Sequence, residues 1–251
     1  MKKSSLFKRA ALYSLIAGSS LLSFQSQAYE VYDIGTFVHS SSIGTQSLGY
    51  LDGVLDDFAT SDVSLSFTNG LDANGLGQLT WQFSNNSSST LSNVSVFGYV
   101  DGEIDPDLNS SFNEYGQLIS VAGAGSSDVN PDSWEIDEPG FDFGDIYDNL
   151  FLGALDNANG VAAGSEDDVS LALGFELGDI FAGETWELIL TISEQDIGGL
   201  FHGDDDSGTG VYVNGTATVN RSVAVDEPST YLLLLTGLFA TYLGRKRKLT
   251  I

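Results

Sequence analysis

Acidic side chains recur along this chain at spacings that suit a hard cation. Asp101, Glu103, Asp105 and Asp107 occupy alternate positions of one short stretch. In an extended chain they share a face, and in a loop they can wrap one ion. Asp132, Glu135, Asp137, Glu138, Asp142 and Asp145 make a second dense region, and Asp204, Asp205 and Asp206 a third, with His202 beside it. Ca²⁺ takes roughly six to eight oxygens from carboxylates, carbonyls and water. Asp101, Glu103, Asp105, Asp107, Asp204, Asp205 and Asp206 are therefore the calcium candidates; no cofactor is certain from the sequence, and Ca²⁺ is the one its residues suit. Crowded carboxylates either recruit a cation or rise in pKa. The spacing lacks the glycine and final glutamate of the helix–loop–helix calcium motif. The alternative is a solvated acidic surface that keeps the protein soluble.

Trp134 sits between acids in Asp132-Ser133-Trp134-Glu135. A loop tryptophan can stack on a sugar ring while carboxylates accept hydrogen bonds from its hydroxyls, which makes Trp134 the glycan candidate. The alternative is an anchor pinning its loop. Trp81 and Trp186 lie in alternating stretches and are expected in the core. His39 and His202 are the only histidines. Neither has the context of a nucleophilic triad, and there is no Gly-x-Ser-x-Gly elbow, HExxH pair or phosphate loop. His202 is read as a polar loop residue, with metal ligation as the alternative. Among 35 acids some pair falls at a glycosidase spacing by chance, so such pairs discriminate nothing. The expectation is a non-enzyme with no catalytic residue.

Charge distribution narrows the partners. Of 251 residues, 35 are acidic and nine basic, a formal net charge of -26. Every acid lies between Glu30 and Glu227, and the only base in that interval is Arg221. Such a field repels phosphate backbones, so no nucleic-acid partner is expected. There is no cysteine, which removes disulfides, thiol catalysis and thiolate metal sites.

The elements that must position these side chains read as strands. Apolar and polar residues alternate at Val63–Phe67, Leu79–Phe83, Val94–Val96, Val169–Phe175, Trp186–Ile192 and from Val211 to Val219, the period of a half-buried strand. Glu30–Val38 reads as an edge strand, and Tyr147–Leu155 allows a short helical turn. Segments rich in Gly, Asp, Asn and Ser, such as 69–75, 122–130 and 203–210, supply turns. The expectation is all-β: a single antiparallel β-sandwich, jelly-roll or Ig-like, over residues 29–220.

Both ends read as addresses. Residues 1–28 have a basic start, an apolar stretch from Ala10 to Leu22, and Ser26-Gln27-Ala28 as a small-residue site. This predicts a secretory signal peptide cut by signal peptidase between Ala28 and Tyr29. At the other end, over 221–251, Asp226-Glu227-Pro228-Ser229-Thr230 precedes an apolar run from Tyr231 to Leu243, then Arg245, Lys246, Arg247 and Lys248. The run spans roughly 20 Å as a helix, and Ser229, Thr230 and Gly244 extend it, giving a transmembrane helix over about 229–244. The basic cluster should stay cytoplasmic and the acidic body lie outside.

This tail resembles the PEP-CTERM sorting signal of Gram-negative bacteria: a Pro-Glu-Pro motif, a short hydrophobic helix and an Arg-rich end. Glu227, Pro228, Ser229, Thr230, the helix from Tyr231 and Arg245 to Lys248 match it, with Asp226 in place of the first proline. The resemblance implies processing by an exosortase, a membrane-embedded sorting enzyme, and delivery to the cell surface or the extracellular polysaccharide matrix. The stretch Asp167 to Phe175, with Leu177 and Ala182 to Thr185, looks like a strand pair of bacterial surface β-sandwiches. The expected function is an exported, non-catalytic surface or matrix protein, linked to exopolysaccharide and biofilm. The alternatives are a Ca²⁺-dependent carbohydrate-binding module and a glycan hydrolase or lyase.

Overall fold

The computed structural model describes residues 29–51, 54–55, 62–106, 111–120, 130–140 and 143–221. In chain order the elements are β1 (Tyr29–Ser40), β2 (Gly44–Leu51), β3 (Val54–Leu55), β4 (Val63–Leu71), β5 (Gly77–Asn85), β6 (Leu91–Ile104), β7 (Glu114–Ser120), β8 (Ser133–Asp137), α1 (Ile146–Leu152), β9 (Ser170–Ile180), β10 (Thr185–Ser193), β11 (Gly199–Asp204) and β12 (Gly210–Asn220). They form two six-stranded sheets in the orders β3-β2-β1-β6-β9-β8 and β4-β5-β10-β12-β11-β7. Every strand pair is antiparallel.

Strict alternation explains the second sheet. β10 reads TWELILTIS, and Trp186, Leu188, Leu190 and Ile192 are buried while the residues between them are half-exposed. β5 and β12 follow the same rule. Their inward residues meet Ile34, Val38, Val96, Val100, Leu171 and Phe175 of the first sheet in one core, which gives the sandwich-like arrangement. Trp81 and Trp186 are both about 1% exposed, and Trp186 stacks on Phe83 with centroids 5.1 Å apart.

The first sheet is covered on its outer side as well. Phe37, Phe97, Tyr99 and Ala172 point away from the main core and pack with Ile146, Leu150 and Leu155, which places α1 across that face. The helix ends at Gly153, whose φ of 73° is the left-handed conformation that closes a helix C-terminus with little strain. The second sheet's outer face carries no such cover among the described elements.

Three sequence expectations are corrected here. β1 is not an edge strand: it pairs with β2 on one side and β6 on the other. The 167–185 segment does not form a strand pair, because β9 belongs to the first sheet and β10 to the second. The turn between them, with Gly183 at φ 78° and Phe181 N–H donating to Glu184 Oε2 at 2.9 Å, carries the chain across the core. His202 is not in a loop; it is fully buried on β11.

The edges at one side of the sandwich are stitched together. Ile136 N–H of β8 donates to Ala158 O, and Gly116 N–H of β7 donates to Val161 O. The 156–168 segment thereby satisfies backbone groups of both edge strands, which an open edge would leave to another chain. Among the described residues no helix is long and apolar enough to cross a membrane. Residues 1–28 with Ala28, Asp107, Asp142, and the tail with Asp226 to Thr230 and Arg245 to Lys248 lie outside the described residues.

Candidate functional site

Ionisable groups concentrate where β1, β6, β7, β9 and β11 meet. On the core side, Tyr29 of β1, His202 of β11 and Glu114 of β7 form a chain. The Tyr29 hydroxyl lies 3.3 Å from His202 Nδ1, and His202 Nε2 lies 2.6 Å from Glu114 Oε2. Glu114 Oε1 accepts the Ile104 N–H at 2.8 Å. The Tyr29 and His202 rings meet edge to face at 5.6 Å. Glu114 and His202 are fully buried, so this chain can hold and pass a proton internally but offers no surface to a substrate.

Burial sets the protonation of these groups. It pushes Glu114 up to about 9; the Ile104 N–H opposes the rise, and Asp168 and Asp204 add to it. It pushes His202 down to about 4, against the pull of Glu103, Asp168 and Asp204. At neutral pH both effects favour a neutral pair, with the proton of the short contact on the Glu114 carboxyl.

The first sheet adds carboxylates of its own. Asp33 and Asp101 are direct cross-strand partners, as are Glu30 and Glu103. Like charges placed opposite one another destabilise a sheet. Burial, then Asp168 and Asp33, pushes Asp101 up to about 8. Burial, then Glu114 and Asp168, pushes Glu103 up to about 7. Glu103 is only 4% exposed, and its Oε1 has no hydrogen-bond partner among the described residues. The Tyr147 hydroxyl donates to Asp33 Oδ2 at 2.8 Å.

Two acidic stretches far apart in sequence thus come into one electrostatic neighbourhood. Glu103 from the first feels Asp204 and His202 from the third. Asp204 is fully buried and accepts the Asn113 side-chain amide at 2.8 Å, whereas Asp205 and Asp206 are exposed in the turn beyond it. Asp105 sits at the end of β6 with φ 50°. Among the described residues, these calcium candidates form no group of three whose ligand oxygens lie together. Among the described residues, a tighter group is Glu135, Asp145 and Asp156, with ligand oxygens all within 4.8 Å of one another. Glu135 lies buried on β8, Asp145 precedes α1 and Asp156 follows it. Asn149 of α1 ties the first two, donating to Glu135 Oε1 at 2.9 Å and Asp145 Oδ1 at 3.2 Å. Burial pushes Glu135 up to about 7, with the Asn149 bond opposing.

Trp134 is on β8 rather than in a loop, half-buried against the inter-sheet core. Spacing alone does not single out Glu114 or Asp168. The alternation Leu200, His202, Asp204 on β11 is the available signal that His202 faces inward. No family model, curated protein or solved structure matches the chain.

Proposed function

We propose that this chain is an exported, non-catalytic protein of the cell surface or extracellular matrix. A signal peptide carries it across the inner membrane, the PEP-CTERM-like tail presents it to an exosortase-type enzyme, and it works alongside exopolysaccharide. One observation carries the reading. Tyr29, the residue after the expected signal-peptidase cut, already lies in β1 as a core side chain, and β12 ends at Asn220, just before the tail. The expected cut and the tail therefore leave every described strand whole. Tyr29 is 2% exposed and bonded to His202, so a cut even one residue later would remove a core side chain. Cell fractionation tests the reading. The protein is expected in the envelope or the matrix, and a cytosolic pool alone would contradict it.

Calcium belongs to the same proposal, moved to Glu135, Asp145 and Asp156. Their proximity supplies three oxygens from one strand and the two segments flanking α1, the donor type a hard cation prefers. A ligand that binds only the folded state stabilises it by about 2.7 kcal/mol at a hundredfold excess over Kd. Calcium is expected to raise the melting temperature more than sodium at equal ionic strength. The difference should vanish in an Asp145→Asn, Asp156→Asn variant. An equal effect of both salts would assign the stabilisation to charge screening.

A further inference from the structure

The outer face of the second sheet is unlike the rest of this acidic molecule. Alternation directs one side of β4, β5, β10, β12, β11 and β7 away from the core. Along those outward positions the only carboxylate is Glu187, and there is no base; the others are mainly Ser, Thr, Asn and Gln, with Ile189, Ile119 and three aromatic rings. Glu187 itself accepts the Gln82 side-chain amide at 2.8 Å.

Two features on this face are shaped for a ligand. A cleft of about 280 Å³ opens at one corner, lined by Ser64, Ser66, Gln82, Ser84, Thr185 and Glu187 among others. At the opposite corner, Tyr115, Phe201 and Tyr212 form a cross-strand row, with centroids 6.0 Å and 4.9 Å apart. All three rings are half-exposed. Gly203 and Gly210, register partners of each other, let the rings bed against the backbone: a Cβ on Gly203 would fall 2.5 Å from Phe201 and 2.7 Å from Tyr115. Strand spacing and rise put the cleft and the rings roughly 25 Å apart along a diagonal of the face. Hydroxyls and amides fill the ground between.

We propose that this face binds an uncharged polysaccharide chain, stacked on Phe201 and Tyr212 at one end and hydrogen-bonded in the Gln82 cleft at the other. Charge selects the occupant. A second copy of the chain or an anionic polymer would be repelled by a body with 35 carboxylates. A neutral polyhydroxyl chain suffers no such repulsion and matches a surface of aromatic faces, hydroxyls and amides. The separation of the two features requires a polymer and not a single sugar. The inference deepens the exopolysaccharide part of the proposed function and rests on it only for where the polymer is met. Binding by purified protein and location in the cell are separate measurements, so either can fail alone.

Affinity electrophoresis of the purified protein through gels holding cellulose derivatives, β-1,3-glucan, xylan or dextran, with alginate and hyaluronate as acidic controls, tests it. Retardation is expected with at least one neutral polymer and with neither acidic one. Phe201→Ala and Tyr212→Ala should each weaken binding at least about tenfold, the loss of one buried stacking contact. Gln82→Ala, an exposed change in the cleft that leaves the core untouched, should weaken it severalfold with an unchanged melting temperature. No retardation by any neutral polymer, equal retardation by alginate, or wild-type binding by Tyr212→Ala and Gln82→Ala would overturn the proposal. So would a dimer in sedimentation that Phe201→Ala disperses, which assigns the face to a second copy.

Discussion

Lowering the pH from 9 to 5 is expected to raise the melting temperature of this protein, the reverse of the usual behaviour of a domain held by ion pairs. Glu103, Glu135, Asp101 and Glu114 are pushed up to about 7, 7, 8 and 9 by burial first and then by neighbouring carboxylates. Unfolded, such groups titrate near 4. A carboxyl group that holds its proton more tightly when folded stabilises the fold fully below about pH 4, and that stability is lost as pH rises through 7 to 9. His202, pushed down to about 4, works the other way, adding stability as pH rises from about 4 to 6.5 and nothing further above. Above pH 6.5 only the carboxyl contributions remain, and they favour acid. Glu103→Gln isolates one of them. Glu103 is 4% exposed and moves from 4.5 to about 7, which corresponds to on the order of 3 kcal/mol. At pH 8.5 the Glu103→Gln variant should melt higher than the wild type by on the order of 5–10 °C, and at pH 5 by little. A flat melting profile between pH 6.5 and 9, or a Glu103→Gln variant less stable than the wild type at pH 8.5, would contradict this picture.

The second large effect is expected from His202. Removing one member of a buried hydrogen-bonded pair leaves the other unsatisfied, typically at a cost of roughly 1–3 kcal/mol, and truncating a large buried side chain adds a cavity penalty of about 2 kcal/mol or more. His202→Ala strips the partner from both Glu114 and the Tyr29 hydroxyl, and opens a void beneath the Tyr29 ring. It should lower the melting temperature by on the order of 10 °C. Glu114→Gln keeps an acceptor for the Ile104 N–H and an amide facing His202, so it should cost far less. In the His202→Ala, Glu114→Ala double-mutant cycle the losses should fall short of additive by more than about 1 kcal/mol. Additivity within about 0.5 kcal/mol would mean that the 2.6 Å contact carries no coupling.

How much of this is legible in the sequence depends on what covers each strand. β4, β5, β10 and β12 have one face in the core and one toward water, so period-two alternation marks them plainly. β6 and β9 are covered on both faces, by the second sheet and by α1. Phe97, Tyr99 and Ala172 therefore fill positions that alternation assigns to solvent, and alternation marks only Val94–Val96 of β6. β7 and β11 escape because their inward positions hold Glu114, Gly116, His202 and Asp204, residues that read as loop. Gly116 is required there, since a Cβ would collide with the Ile136 side chain. The candidate site is hidden for the same reason. Glu114 and His202 stand 88 residues apart, and only the register of β7 on β11, with His202 beside Gly116, brings them together. The acidic stretches are visible, but their convergence around β6, β9 and β11 is a property of how the two sheets pack. The calcium group shifts likewise, because Asp156 joins Glu135 and Asp145 only through the fold of the segment after α1.

The outer face of the second sheet carries a similar lesson about charge. Net charge averages over the surface, whereas binding depends on where charge is missing. Gln82, Thr80, Thr191, Thr216 and Asn214 give no signal individually. They become a surface only when the β5-β10-β12 registers set them side by side.

Export of an acidic β domain, released at Tyr29, is the central claim of the proposed function. Determining the N-terminal residue of the protein recovered from the surface or matrix of its native cells tests it most directly. The account predicts Tyr29 as that residue, with β1 and its bond to His202 intact. Recovery of a chain that still begins at Met1, or one that starts beyond Tyr29, would contradict it.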